Sequence, residues 1–138
     1  MTSEQSLIVT ETDMERLRHV IDHHDGGRAA ELAEMLDLEL SRARVVASET
    51  VPANVVTMNS TVIFEDEETC EQRQVTLVYP RDARSEEGRI SVLAPMGSAL
   101  IGLSVGQSIS WPMPGGRTRR VRVIAVPYQP EAAGHYHL

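Results

Sequence analysis

The sequence predicts an α+β protein, with a helical hairpin over residues 1–51 and a β-rich domain over residues 52–138. Three observations carry this reading. Apolar residues recur at helical spacing up to about Ala47, strand-like alternation replaces that period after Val51-Pro52, and Gly or Pro punctuates each change. Thr12-Asp13-Met14-Glu15 fits a capping box, with Thr12 as N-cap and Glu15 reaching back to its backbone. The first helix is expected to run to Asp25, before Gly26-Gly27, with Met14, Leu17 and Ile21 forming its apolar stripe. A second helix is expected from Arg28 to about Ala47. Leu32, Met35 or Leu36, and Leu40 form its stripe, with Ala29, Ala33 and Ala43 beside it. Joined by a Gly-Gly turn, the two make an antiparallel hairpin whose stripes are core, and Pro52 bars further helix.

The second part reads as strands Thr61–Glu65, Gln72–Tyr79, Arg89–Leu93, Ser108–Met113 and Thr118–Val126. Alternation is clearest in Val75/Leu77/Tyr79, Ile109/Trp111/Met113 and Val121/Val123/Ala125, the pattern of a sheet covered on one face. Gly115-Gly116 is expected as the turn between the last two strands, and Gly88 closes the loop from Arg81. Pro95 suits the first turn of a short helix ending before Gly102.

Composition narrows the function. The chain has 138 residues and a net charge of −7, and residues 1–50 carry 11 acids against 5 arginines. An acidic surface repels phosphate backbones, which argues against direct nucleic-acid binding and for a cationic protein surface as partner. All basic residues are Arg, scattered without a phosphate-cradling motif. The lone Cys70 makes no disulfide framework, and neither a signal-peptide pattern nor an apolar run of membrane-spanning length is present, so the expectation is a cytoplasmic protein with no membrane partner. No nucleophile elbow, spaced Cys/His pair, P-loop or dinucleotide fingerprint occurs. The expectation is therefore no enzyme, no catalytic residues, no metal site and no cofactor.

The run from Ile90 to Gly102, with Pro95-Met96-Gly97-Ser98 at its centre, followed by Leu103-Ser104-Val105-Gly106-Gln107-Ser108, resembles the C-terminal domain of the GreA/GreB transcript-cleavage factors. Val55-Val56-Thr57-Met58-Asn59-Ser60, Leu77-Val78-Tyr79-Pro80 and Tyr128-Gln129-Pro130-Glu131-Ala132-Ala133-Gly134 are similar to segments of short bacterial regulators in the same superfamily. The resemblance runs from about residue 7 to the C-terminus. It implies an FKBP-like domain, a curved antiparallel sheet on one short helix, behind a hairpin that is a short coiled coil. It also implies docking on RNA polymerase near the secondary channel, with an effect on nucleotide metabolism exerted indirectly through transcription. By analogy the docking surface includes Pro95, Met96, Gly97, Leu100 and Gly102, although Leu100 and Ile101 read first as core.

Asp22-His23-His24-Asp25 falls at the expected hairpin tip. In Gre factors two acidic tip residues, three apart, help bind a catalytic magnesium inside the polymerase. Asp22 and Asp25 share that spacing and one helix face; their plain reading is a solvated helix end. Gre hairpins are longer, so this tip is expected to fall short of the catalytic metal and transcript cleavage is not expected. His135 and His137 offer two ligands without a rigid frame, as chain ends usually lack one, and so are too few for a metal site. Glu65-Asp66-Glu67-Glu68 reads as a charged turn, and Arg117, Arg119, Arg120 and Arg122 either protect an edge strand or meet an acidic surface. The alternatives are an FKBP-like prolyl isomerase or peptide-binding chaperone, disfavoured by a supply of only five aromatic residues, and a structural dimer through the hairpin stripe. A monomer is the expected state.

Overall fold

A computed structural model describes residues 7–23, 27–113 and 116–135. The first described element is a strand, β1 (Ile8–Thr10), which buries Val9, follows buried Leu7 and pairs in parallel with β2 (Arg44–Val46). Parallel neighbours need a crossover, and here the two helices supply it. Helix α1 spans Glu11–Asp22 and is capped by Thr10, not Thr12: the Asp13 amide donates to Thr10 Oγ1 at 3.0 Å. The cap moves upstream because β1 delivers Thr10, extended and buried, to the helix start, leaving Thr12 inside the first turn and exposed. The helix stops at Asp22 with His23 as its C-cap, three residues earlier than expected; Asp25 lies outside the described residues.

Helix α2 (Arg28–Leu40) also ends short of the predicted Ala47. Ser41 Oγ donates to the Leu38 carbonyl at 2.7 Å, and the Arg42 and Ala43 amides close tight turns onto Glu39 and Leu40. The β-branched pair Val45-Val46 then joins β1 instead of extending the helix. Arg18 of α1 pairs with Asp37 of α2, so the helices fold back along one another.

Five strands form the second sheet: β3 (Thr61–Asp66), β4 (Gln72–Val78), β5 (Arg89–Ser91), β6 (Ser108–Met113) and β7 (Arg117–Tyr128), in the order β5-β4-β3-β7-β6. The sheet is not wholly antiparallel. β5 runs parallel to β4, because two 3-10 turns within residues 80–87 carry the chain back before it re-enters beside Thr76–Val78. Nor is β7 an edge strand: it lies between β3 and β6, which removes edge protection as a role for its arginines. Helix α3 (Pro95–Leu100), with Pro95 in its first turn, packs on β5, β6 and α2.

One core serves both parts of the chain. Leu17, Leu36 and Leu40 from the helices pack in the same cluster as Val56, Met58, Phe64 and Leu77 of the sheet region and Leu100, Ile101 and Leu103 after it. The hairpin stripe is thus buried in a shared interior and does not form a seam of its own. Gly102 stitches the parts together: its carbonyl accepts from the Ile8 amide and its amide donates to the Val56 carbonyl, both at 3.0 Å. It does so at φ +84°, a backbone conformation open to glycine.

Candidate functional site

Within α3, Gly97, Ser98, Ala99 and Leu100 are buried and Met96 is half-buried. Leu100 is fully buried, and Gly97 and Gly102 are closed against backbone, so these three of the proposed contact residues shape the face from beneath. Gly97 is required by packing: a Cβ there would stand 2.1 Å from the Ser91 carbonyl oxygen. Next to it, buried Ser98 donates through Oγ to the Val92 carbonyl at 2.7 Å, holding α3 on β5. Met96 is half-buried and borders an open cavity of about 160 Å³. Phe64, Val75, Ile90 and Val121 give this cavity an apolar floor, while Asp66, Glu71, Arg73 and Arg119 supply its charged rim.

Part of the rim is paired. Arg119 reaches Asp66, and Arg120 Nε lies 2.8 Å from Glu67 Oε1, so the acidic β3–β4 turn and the β7 arginines neutralise each other. The Glu68 amide, and after it Arg119, hold the Asp66 carboxyl below the usual carboxylate range. The Ser108 hydroxyl at 2.6 Å, then Arg120, do the same for Glu67.

A second constellation joins helix to sheet, and sequence reasoning missed its central residue. Asp13, 1% exposed, accepts from the Met58 amide through Oδ2 at 3.0 Å and from Arg16 through Oδ1 at 2.9 Å. The Arg16 guanidinium lies 5.1 Å from the centre of the Tyr79 ring, a cation–π contact. Around it Thr57 donates to Glu131 at 2.8 Å, Thr57 and Ser60 hydroxyls meet at 2.7 Å, and Gln129 Nε2 donates to the carbonyls of Pro52 and Val55 at 2.8 Å each. Burial raises the Asp13 pKa against the opposing Met58 hydrogen bond, and burial with the neighbouring Asp13 charge pushes the Tyr79 hydroxyl up. The three segments that carry the family resemblance, 55–60, 77–80 and 128–134, thus converge on this joint. Thr57, Ser60, Gln129 and Glu131, polar residues lodged in those segments, were an available signal for the joint, though not for Asp13.

At the hairpin tip Asp22 is exposed, and its expected companion Asp25 is outside the described residues, as is His137. His135 Nδ1 lies 2.7 Å from the Tyr128 hydroxyl, which ties the first histidine of the tail to β7. Among the described residues no group of three or more His, Cys, Asp or Glu side chains converges on a metal-sized site, and no helix is long and apolar enough to cross a membrane.

Two family models match successive stretches of the chain. Residues 51–128 match the family "Transcription elongation factor, GreA/GreB, C-term", and residues 5–46 match "Rnk N-terminus". The Escherichia coli K12 protein "Regulator of nucleoside diphosphate kinase" is 40% identical over 136 residues, covering 99% of each chain. The "Transcription elongation factor GreA" of Beijerinckia indica is 36% identical over 90 residues, covering 65% of this chain and 55% of that one. Among solved structures, the "Prokaryotic transcription elongation factor GreA/GreB from Nitrosomonas europaea" superposes with a TM-score of 0.70 at 42% identity, over 91% of this chain and 100% of that one. The chain belongs to the family of regulators of nucleoside diphosphate kinase, in which an Rnk-type N-terminus precedes a GreA/GreB C-terminal module.

Proposed function

We propose that the protein is a non-catalytic regulator of transcription that docks on RNA polymerase near the secondary channel. The observation that carries this reading is the GreA/GreB module over residues 51–128, joined through one core to a short helical hairpin. Docking uses the face around α3, with Met96 as its accessible apolar contact beside the cavity and Pro95, Gly97, Leu100 and Gly102 holding that face in shape. A half-buried methionine adapts its shape to a partner at little cost. The effect on nucleoside diphosphate kinase is then indirect, through transcription.

Hairpin length separates docking from cleavage. With 12 and 13 residues in α1 and α2 and about 1.5 Å of rise per residue, the hairpin extends about 20 Å. A carboxylate serves magnesium only at about 2.0–2.1 Å, so a tip that stops short contributes no ligand while its body still obstructs a longer factor. The protein therefore competes with Gre factors and does not stimulate cleavage.

Purified polymerase tests both statements. Met96→Asp is expected to weaken binding by about 2 kcal/mol or more while costing less stability than the roughly 2–5 kcal/mol of emptying a fully buried methionine site, so that the variant stays folded; a variant that unfolds instead makes Met96 a core residue and removes the docking assignment. Saturating protein on stalled elongation complexes is expected to suppress GreA-stimulated cleavage and to yield no products of its own. Cleavage that disappears in an Asp22→Ala, Asp25→Ala double variant overturns the reach argument.

A further inference from the structure

We propose that the tip-side end of α1 is a chelating site for a transition-metal dication of the imidazole-binding class (zinc, nickel or copper), held between His19 and His23. The two residues are four apart, so they share one helix face, the spacing by which helix-borne histidine pairs grip zinc. Both are exposed, and their rings already lie side by side, with centroids 4.1 Å apart and planes 20° from parallel. A tetrahedral ion with metal–nitrogen bonds of about 2.0–2.1 Å holds two ligand nitrogens about 3.4 Å apart with both in-plane lone pairs aimed at it, so chelation requires the stacked rings to turn out of their parallel planes, a rotation open to two exposed side chains.

The surroundings favour a cation. His23 Nδ1 sits 2.9 Å from the His19 carbonyl oxygen. This contact anchors one ring nitrogen on the backbone and leaves Nε2 for the ion, the arrangement by which outer-shell partners orient metal-bound histidines. His23 is the C-cap of α1, where the macrodipole presents its negative end. Exposed Asp22 adds a carboxylate beside it, in a half of the chain where acids outnumber arginines 11 to 5. Water completes the coordination sphere. Imidazole selects zinc, nickel and copper, whereas magnesium and calcium prefer oxygen ligands, so this pair takes a different metal from the one that two tip carboxylates would bind. The site does not depend on polymerase docking.

Calorimetric titration of the full chain, without a polyhistidine tag, with zinc chloride and separately with nickel chloride tests the site. One ion per chain is expected. His19→Ala and His23→Ala should each weaken binding by at least the roughly 10- to 100-fold that loss of an outer-shell partner already costs. Combining His19→Ala with Glu15→His keeps the imidazole count but places the rings about 12 Å apart along the helix, and should bind no better than His19→Ala alone. Unchanged affinity in both alanine variants, full affinity in the displaced pair, or loss confined to His24→Ala or His135→Ala overturns the proposal. In the unsubstituted chain, NMR line broadening by nickel or copper should centre on residues 19–23; broadening centred elsewhere overturns it independently of how any variant folds.

Discussion

At Asp13 the cost of removing a carboxylate from water competes with the hydrogen bonds it accepts from Met58 and Arg16, and desolvation is the larger effect. Its native pKa lies above the unfolded value of 3.8. Between those two values the native state holds the proton more tightly, so this group's contribution to stability is full below the window and falls as pH rises through it. Asp66 and Glu67 run the other way: held below 3.8 and 4.5, their contributions are present above those values and lost as pH falls. Asp13→Ala strands the buried Met58 amide and is expected to cost about 1–3 kcal/mol, whereas Asp13→Asn retains an acceptor and costs less. Urea denaturation at neutral and mildly acidic pH checks the sign: the parent should gain stability over Asp13→Asn on acidification into the window. An advantage that shrinks on acidification would contradict the burial argument. In the sequence Asp13 reads as an ordinary member of a helix's first turn, because nothing local indicates that Met58 will close over it.

Among the elements, α3 shows which local signals suffice. Proline at its first turn and the glycine after its end were enough to predict the helix, and both hold. What sequence does not convey is that Gly97 is there for the Ser91 carbonyl, which leaves no room for a Cβ. Because the neighbour is backbone and cannot rotate away, Gly97→Ala is expected to cost about 1–3 kcal/mol through overpacking. A denaturation midpoint equal to the parent's would show that β5 and α3 slide apart freely. The end of α2 illustrates the opposite case. Residues 41–47 continue a plausible helix on spacing alone, yet Val45 and Val46 gain backbone partners in β1, and strand pairing outweighs the continuation. The parallel β1–β2 pair was invisible because each strand is three residues long and its partner lies beyond two helices.

For the whole molecule, the decisive feature is that Leu17, Leu36 and Leu40 share a core with the sheet residues. Helices of 12 and 13 residues are marginal by themselves in water, so the hairpin depends on that burial. Far-UV dichroism, which follows the helices, and Trp111 fluorescence, which follows β6, are therefore expected to report one coincident unfolding transition. Helix signal lost at a separate, lower denaturant concentration would show that the hairpin folds and melts as its own unit.

By itself the sequence determined that two helices precede the five-stranded sheet, the ends of β6, the punctuation around α3 and the family resemblance, because these rest on periodicity, on the special backbones of proline and glycine, and on short contiguous motifs. Tertiary structure alone decided the Thr10 cap, the parallel pairings β1–β2 and β4–β5, the interior place of β7, and the joint that gathers Asp13, Thr57, Tyr79 and Glu131. Apart from the cap, which is local but set by β1 delivering Thr10 to the helix start, each of these is a contact between residues far apart in the chain. Its free energy depends on which surfaces meet and exclude water, and no window of neighbouring residues contains that information.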